Sequence, residues 1–570
     1  MRLLVTGVLT FVLLSAFSGT ERDPFVQGYF LEPVSGTMLL SGTFGELRSN
    51  HFHAGIDIKG GMNVPILAAA EGYVSRIKVS GGGYGNVLYL THPNGYTTVY
   101  AHLNRFHPDL AEWVQKQQYE QESFSVDLHP SPGQFTFAQG EEIGKMGTTG
   151  SSSGPHLHFE IRETKSEVPL NPLRFGLDFA DNSALRIHEL KIYELSDQGL
   201  EQYTHEYYPS YRSGSYQITG DTIKVGTRQT GMAIKAYDHM NNGRNWNGVY
   251  AVDMRVNGQL HFSFRMDALP FPERRYLNAH LDYAEQKTEN SYYNRCFLLP
   301  GNRASIYEQV KDRGLITLEP GESVRIDLTV TGANGRTRAL RYWLKREELR
   351  RPVASPTYQY WLPHHQDNLI SNYYLYLHFP KGSLYTDLPL HYQRSEESSY
   401  QVYSPIHHIH EMLTPLHRSF TLGIRPGLVP DNMRNKVFVG RCSSSGQIIN
   451  YGGQWQDGML VTNSTSFGDY GIFADTIPPV IQKERFSSNM RGWSSMRFKI
   501  SDNLPTSGRA RDLRFRATID GRWVLLNYDA KNDRLTHIFE DDLPRGAHQL
   551  VLEVTDAMNN QSILEETFNY

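Results

Sequence analysis

A chain of 570 residues exceeds what one hydrophobic core usually organises, and at about 150 residues per domain it divides into roughly four. Its 56 Lys+Arg nearly balance 60 Asp+Glu, for a net charge of −4, which excludes a nucleic-acid binder driven by a basic surplus. Glycine (49) and proline (28) stand near average usage, excluding collagen-like and low-complexity chains, while 34 Tyr, 27 Phe and 7 Trp favour strands and a mainly β fold.

The chain opens Met1-Arg2, runs mostly apolar from Leu3 to Phe17, and continues with small residues at Ser18-Gly19. A basic start, a short apolar run and a small-residue end predict a signal peptide over residues 1–19, with an uncleaved anchor as the alternative. The run is shorter than the about 20 residues of a comfortable membrane span. No cysteine adjoins the cleavage zone and no second long apolar run follows. The expectation is an exported protein of the periplasm or cell envelope, with no integral membrane segment beyond the signal peptide. Cys296 and Cys442 are the two cysteines, too few for a disulfide framework; one bridge and two buried free thiols both fit.

From about Gly42 to Phe175 short β runs alternate with Gly-rich turns. Strands are predicted at Pro65 to Ala69, Gly72 to Val79, Asn86 to His92, Tyr96 to Leu103, Ile143 to Met146 and His156 to Arg162. Pro93-Asn94-Gly95 joins two of them through Asn-Gly, the strongest short hairpin signal. An insertion at about 104–139 interrupts the series. It places Leu110, Trp113, Val114 and Gln117 at helical spacing behind Pro108-Asp109. Together these define a first domain over 20–175.

Three further β-rich segments follow: an immunoglobulin-like sandwich at 184–350, a β-sandwich at 357–474 and an immunoglobulin-like sandwich at 480–570. Pro-rich boundaries mark them at Arg351 to Pro356 and Asp475 to Pro479. Two of the three echo each other. Lys235-Ala236-Tyr237-Asp238 with Val256-Asn257-Gly258 matches Lys499-Ile500-Ser501-Asp502 with Ile519-Asp520-Gly521, and the Asp-to-Gly spacing is 20 in one and 19 in the other. Such modules act as spacers and binding platforms more often than as catalysts.

Histidine concentrates in the first domain at His51-Phe52-His53-Ala54-Gly55-Ile56-Asp57, Tyr100-Ala101-His102 and Gly154-Pro155-His156-Leu157-His158-Phe159-Glu160. On a strand His156, His158 and Glu160 share one face, while Leu157, Phe159 and Ile161 point into the core. The two imidazoles lie about 7 Å apart along the backbone, so one can bind a metal while the other touches what the metal activates. His53 and Asp57 share a face if their segment is extended. Two imidazoles and one carboxylate suit catalytic zinc, which keeps its fourth position open. No His-Glu-x-x-His helix exists in the chain. A lone strand histidine is usually structural; joint occurrence with Gly-rich flanks is what points to a site. Further along, His407-His408-Ile409-His410-Glu411, with His364-His365 upstream, offers a second ligand set, but without Gly-rich partner motifs a polar sandwich face is the commoner outcome.

These motifs resemble the lysostaphin-type (LytM-like) zinc endopeptidases that cut peptidoglycan peptides. The resemblance covers about Gly42 to Phe175 and extends to Pro65 to Gly72, Gly83-Tyr84-Gly85-Asn86 and Gly147-Thr148-Thr149-Gly150. It implies a small antiparallel β barrel-sandwich with a groove across one face. By the same resemblance His53, Asp57 and His158 hold Zn2+, and His102 and His156 are the catalytic histidines. His53, not His51, has the family's interval to Asp57. Glu160 is a candidate for supporting a ligand from behind, or a plain surface carboxylate. The departure from the family is the insertion after Leu103, expected to rim the groove.

The function implied is hydrolysis of amide bonds in peptidoglycan stem peptides or cross-links. A wall-binding protein that regulates another hydrolase is the alternative. Members of that kind lose zinc ligands, whereas all five positions here are filled. A secreted protease on Gly-rich proteins is a third reading. The sandwich domains are expected to position the catalytic domain, bind glycan or contact another envelope protein.

Overall fold

Turns and apolar alternation set the strand order of the first region. The structure, a computed structural model, describes residues 25–180, 184–240, 245–348, 357–396, 402–443, 445–539 and 543–570. The expected signal peptide at 1–19 and the boundary at 351–356 lie outside the described residues. In chain order the strands are β1 (Leu40–Gly42), β2 (Ile56–Lys59), β3 (Pro65–Leu67), β4 (Gly72–Val79), β5 (Val87–Thr91), β6 (Tyr96–Ala101) and β7 (Leu103–Phe106). Helix α1 (Pro108–Glu120) follows, then β8 (Val126–Leu128), β9 (Thr136–Phe137), β10 (Glu142–Met146), β11 (His156–Glu163) and β12 (Pro169–Leu170). One antiparallel sheet runs β1-β2-β11-β6-β5-β4-β8, with β12 on β11 and β9 on β4; the second is β3-β10-β7. The mainly β fold class holds.

Strand β11 lies between β2 and β6, so both its neighbours can contribute to one site. Leu157, Phe159 and Ile161 are fully buried on its inner face, each contributing about 1.5–3 kcal/mol by leaving water. That burial fixes the register, because a one-residue slip would send all three outward. The Asn94-Gly95 turn closes the β5–β6 hairpin, with Gly95 at φ +89°.

The sequence predicts one strand from Tyr96 to Leu103, and the structure breaks it. His102 has φ +62°, a left-handed conformation that costs a non-glycine residue energy and ends the strand. The chain then leaves the first sheet, and β7 pairs with β10 in the second. Helix α1 sits where the helical spacing placed it, with Pro108 in its first turn and Leu110 and Val114 buried.

Beyond residue 184 the described strands form further sheets, antiparallel except where Ser215–Val225 runs parallel to Thr337–Arg346. The two echoing segments share their pairing order. Gln229–Met240 pairs with Ala184–Leu195 as Ser495–Ser501 pairs with Val480–Arg485. Asn257-Gly258 and Asp520-Gly521 both turn hairpins with positive φ at each residue, the twist-matched geometry of two-residue loops. One apolar cluster runs from Phe25 through Leu344, so the first region and the sandwich after it share a core. Separate clusters fill Leu362 to Ile472 and Met490 to Phe568. Both cysteines are free thiols.

Candidate active site

Register brings the first two site residues together. His158 on β11 stands opposite Asp57 on β2, and directly opposed residues in a ladder hold their side chains within reach. His53 precedes β2 and turns back toward Asp57. His53 Nε2 lies 3.0 Å from Asp57 Oδ1 and 3.0 Å from His158 Nδ1, and His158 Nδ1 lies 3.0 Å from the same Asp57 oxygen. All three residues are buried.

Each ring is held from behind. His53 Nδ1–H donates to the Thr43 carbonyl at 2.8 Å, which leaves Nε2 facing inward as an acceptor. His158 Nε2–H donates to Glu160 Oε1 at 2.9 Å, which aims Nδ1 inward. Glu160 is itself fully buried; its Oε2 accepts from Arg162 Nε at 2.6 Å, and its Oε1 accepts from the Tyr84 hydroxyl. The Tyr84 ring stacks on His158 with centroids 5.2 Å apart. Arg48 donates to Asp57 Oδ2 at 2.9 Å.

Burial opposes ionisation of Asp57, but His53 and the hydrogen bonds from both histidines hold it well below the usual carboxylate range. Burial alone would lower His158; Asp57 and Glu160 outweigh it and pull the imidazole up to about 9. Burial likewise opposes the charge on Glu160, yet Arg162 and His158 bring it down to about 2. Two ionised, buried carboxylates therefore flank one imidazole and favour positive charge at the point where the three donor atoms meet.

The other two histidines stand beside this group. His102 and His156 have ring centroids 4.7 Å apart, and His102 is 6.1 Å from His158. His156 Nε2 reaches to 3.6 Å from Asp57 Oδ1. The left-handed backbone at His102 throws its ring off the β6 track and into the cleft. Burial, then the neighbouring His158 and His156, push His102 down to about 3, so it is neutral. His51 lines the cleft but stays out of the group, bonded to its neighbour Asn50 at 2.5 Å.

The cleft, about 1180 Å³ in volume, has a second wall that the sequence did not reveal. Phe271, Arg274, Tyr292 and Ile306 of the following sandwich line it opposite the histidines. No residue of the 104–139 insertion lines it among the described residues, which corrects the expectation that the insertion rims the groove. Its buried stripe commits α1 to the core instead. Arg162 was within reach of the alternation rule, being two residues beyond Glu160 on the same face; nothing in the sequence marked Arg48 or Thr43.

The second histidine set does not gather. His408 bonds Asp469 at 2.8 Å, His407 bonds Tyr392 at 3.0 Å, and His410 bonds Thr414 at 3.0 Å. His364 and His365 do converge with Asp387, their ligand atoms lying within 4.8 Å of one another, although His365 is exposed.

A mainly β domain whose cleft gathers two imidazoles and a carboxylate, with two more imidazoles alongside, has the makings of a hydrolase with a candidate metal centre. Residues 51–119 and 127–172 match Peptidase family M23, and the chain carries a domain of that family. Over 155 residues it is 34% identical to the DD-carboxypeptidase/endopeptidase Mpg of Neisseria meningitidis serogroup B, covering 26% of this chain and 30% of that protein. Over 133 residues it is 33% identical to the murein hydrolase activator NlpD of Escherichia coli, covering 23% of this chain and 28% of that one. The match thus spans less than a third of either relative. Among solved structures, the catalytic domain of the prophage-encoded M23 protein EnpA from Enterococcus faecalis is 21% identical, with a TM-score of 0.19, over 26% of this chain and 95% of that one. Residues 359–475 match a Zu5-like domain.

Proposed function

We propose that this chain is an exported, zinc-dependent endopeptidase that hydrolyses amide bonds in peptidoglycan stem peptides or their cross-links. In this reading it divides into 20–175, 184–350, 357–474 and 480–570 and works in the cell envelope, as the apolar run from Leu3 to Phe17 supports. The observation that carries it is the convergence of His53 Nε2, Asp57 Oδ1 and His158 Nδ1 within 3.0 Å of one another. The donor set fits zinc, which takes imidazole nitrogen and carboxylate oxygen and in catalytic sites uses three such ligands. Both rings have their outer N–H engaged, so their other nitrogens face the centre, and the flanking carboxylates favour a cation there, which would take the place of the proton on His158. Zinc bound at this point supplies a Lewis acid that polarises a carbonyl and brings water toward ionisation near neutral pH.

The remaining chemistry belongs to the protein. His102 donates its Nδ1–H to the Thr149 carbonyl at 2.8 Å, and His156 donates its own to Gly154 at 2.8 Å. Both therefore present Nε2 lone pairs to the cleft. Either can take a proton from an attacking water; once protonated it can donate to the tetrahedral oxyanion or to the leaving amine.

The test is release of peptide fragments from purified peptidoglycan by the mature protein, beside His158→Ala and a chelated sample. Release that is lost in both and returns to the chelated sample with zinc supports the reading, and mass spectrometry identifies the bond. A protein shown to contain zinc that releases nothing overturns it. If that protein instead accelerates a separate purified wall hydrolase, the activator reading suggested by the similarity to NlpD takes its place.

A further inference from the structure

One loop orients both catalytic candidates. Thr149 supplies the carbonyl that fixes His102, and Gly154 supplies the one that fixes His156, with Ser152 Oγ a further 3.1 Å partner of the same His156 nitrogen. An imidazole offers a lone pair at one nitrogen only when its proton is held at the other. The positions of these two carbonyls therefore set which nitrogen of each ring faces the cleft.

The loop, Gly147 to Pro155, has no apolar side chain of its own beyond Pro155. Local anchors hold its middle. Gly150 passes so close to the Gly83–Gly85 turn that a Cβ on it would fall 2.3 Å from the Gly83 carbonyl oxygen, and Ser151 exchanges bonds of 2.8 and 2.9 Å with Gly83. A further anchor comes from the far end of the chain. Lys531 Nζ donates to the Thr148 carbonyl at 2.8 Å and to the Ser152 carbonyl at 3.1 Å, with Thr148 Oγ1 at 3.3 Å.

Lys531 stands at the turn between strands Asn527–Asp529 and Arg534–Ile538, and its surroundings dock that turn on the peptidase domain. Ala530 N–H donates to the Gly81 carbonyl at 3.2 Å. The Tyr528 ring lies against Gly81, where a Cβ would meet it at 2.6 Å. Farther out, Arg516 pairs with Glu122 at 2.7 Å, and Trp523 meets Tyr119 edge-on with centroids 5.2 Å apart. The insertion after Leu103, which supplies Tyr119 and Glu122, thus serves as a footing for the C-terminal sandwich.

We propose that Lys531 is a positioning residue for His102 and His156: its ammonium pins Thr148, next to the Thr149 carbonyl that orients His102, and Ser152, whose hydroxyl bonds the Gly154 carbonyl at 2.7 Å and lies 3.1 Å from His156 Nδ1. This rests on the endopeptidase reading above. It assigns the C-terminal sandwich a part in the reaction, although its own residues lie outside the group of five.

The test compares Lys531→Ala, Lys531→Arg and Arg516→Ala in the full-length protein. Two quantities are read: hydrolysis of a soluble cross-linked peptidoglycan fragment, and amide hydrogen exchange in peptides covering 147–156. Lys531→Ala is expected to lower kcat about tenfold, the scale at which small misplacements of catalytic groups register. Its KM and zinc content should stay within twofold of the parent, and exchange at 147–156 should quicken. Lys531→Arg should restore kcat to within about threefold of the parent, because it keeps a cationic donor at the carbonyls. Arg516→Ala, which loosens the same interface away from the loop, should leave kcat and exchange unchanged. Parental kcat or parental exchange in Lys531→Ala overturns the proposal, as does an equal loss in Arg516→Ala. If the parent itself hydrolyses nothing, the endopeptidase reading fails on its own, and quickened or parental exchange still decides whether Lys531 holds the loop.

Discussion

Two strands of this molecule carry histidine at alternate positions, and they come to different ends. On β11, His158 faces Asp57 across the ladder, and His156 stands one step along the same face. On Ile406–Ile409, extended by His410, the spacing recurs, but the register partners of His408 are Gln393 and Asp469. Those two partners supply one carboxylate and no imidazole. His410 then takes φ +52° and stacks on His391 with rings 2° from parallel. The spacing and a carboxylate opposite it are shared; what separates the two is His53, which reaches both Asp57 and His158, and the acceptors behind the rings, Gly154 for His156 and Glu160 for His158. A His-x-His pair becomes a candidate site when a third donor joins it and its register carboxylate, as His53 joins His158 and Asp57, and when something fixes the outer nitrogen of each ring.

The strongest test of that contrast removes the register partner. Asp57→Ala is expected to abolish hydrolysis, a loss above about 10³-fold for a catalytic metal ligand, and to empty the protein of zinc by elemental analysis. The double change His408→Ala with His410→Ala should leave both quantities at parental values; a drop in zinc there would erase the distinction. Next in size, His102→Ala should cost about 10²–10⁴ in kcat, the span of general acid–base catalysis, while zinc content stays at parental stoichiometry. Zinc loss in that variant would place His102 among the ligands instead.

The support behind the ligands gives a smaller effect. Glu160→Gln keeps the shape but weakens the hold on His158 and leaves Arg162 without its ionised partner. A zinc affinity about 10–100-fold weaker is expected by competition with a chelator. Parental affinity would show that the carboxylate only fills space.

The smallest effect carries the comparison from histidines to carboxylates. Glu160 is buried with partners, whereas Asp502 Oδ1 is buried with none among the described residues. Burial, then the charge of Asp475, raise Asp502 from 3.8 to about 6. A carboxyl whose folded value lies above its unfolded one binds its proton better when folded. Its contribution to stability is therefore complete below about pH 4 and lost as pH rises through about 6. The full gap corresponds to about 3 kcal/mol, and solvent screening of this half-exposed side chain reduces it to about 1 kcal/mol. Asp502→Asn should raise the unfolding midpoint by about 2–4 °C at pH 8 and leave it unchanged at pH 4. Equal midpoints at pH 8 would show that the Asp502 charge is relieved in another way.

The parts of the fold and site that were legible in the sequence are those written in short-range periodicity. The alternation along His156 to Arg162 gave the strand and its two faces, and the stripe at Leu110 and Val114 gave the helix. The five clustered residues were found by their motifs, and the structure places them together. What stayed hidden depends on distance or on backbone strain. His102 breaks its strand with neither glycine nor proline to announce it. The cleft's second wall and Lys531 meet the peptidase domain across about one hundred to nearly four hundred residues of chain, and such contacts leave no repeat to read. The insertion misled for a related reason. Its length was visible, but whether it faces substrate or a later domain depends on Tyr119 and Glu122 meeting partners that no local pattern names.

The core shared between Phe25 and Leu344 bears on the order of manufacture. A chain that emerges N-terminus first presents all five histidine and aspartate positions while the sandwich that seals their domain is still to come. Pairings such as Leu170 with Ala268, and the Asn171 side chain on the Met266 carbonyl at 2.9 Å, wait for that later stretch. Until it arrives, apolar surface remains uncovered, the condition in which partly made proteins aggregate or are held by chaperones. Completion of the cleft is thus timed by the length of chain already delivered, which delays assembly of the candidate site until most of the protein has cleared the machinery that makes it.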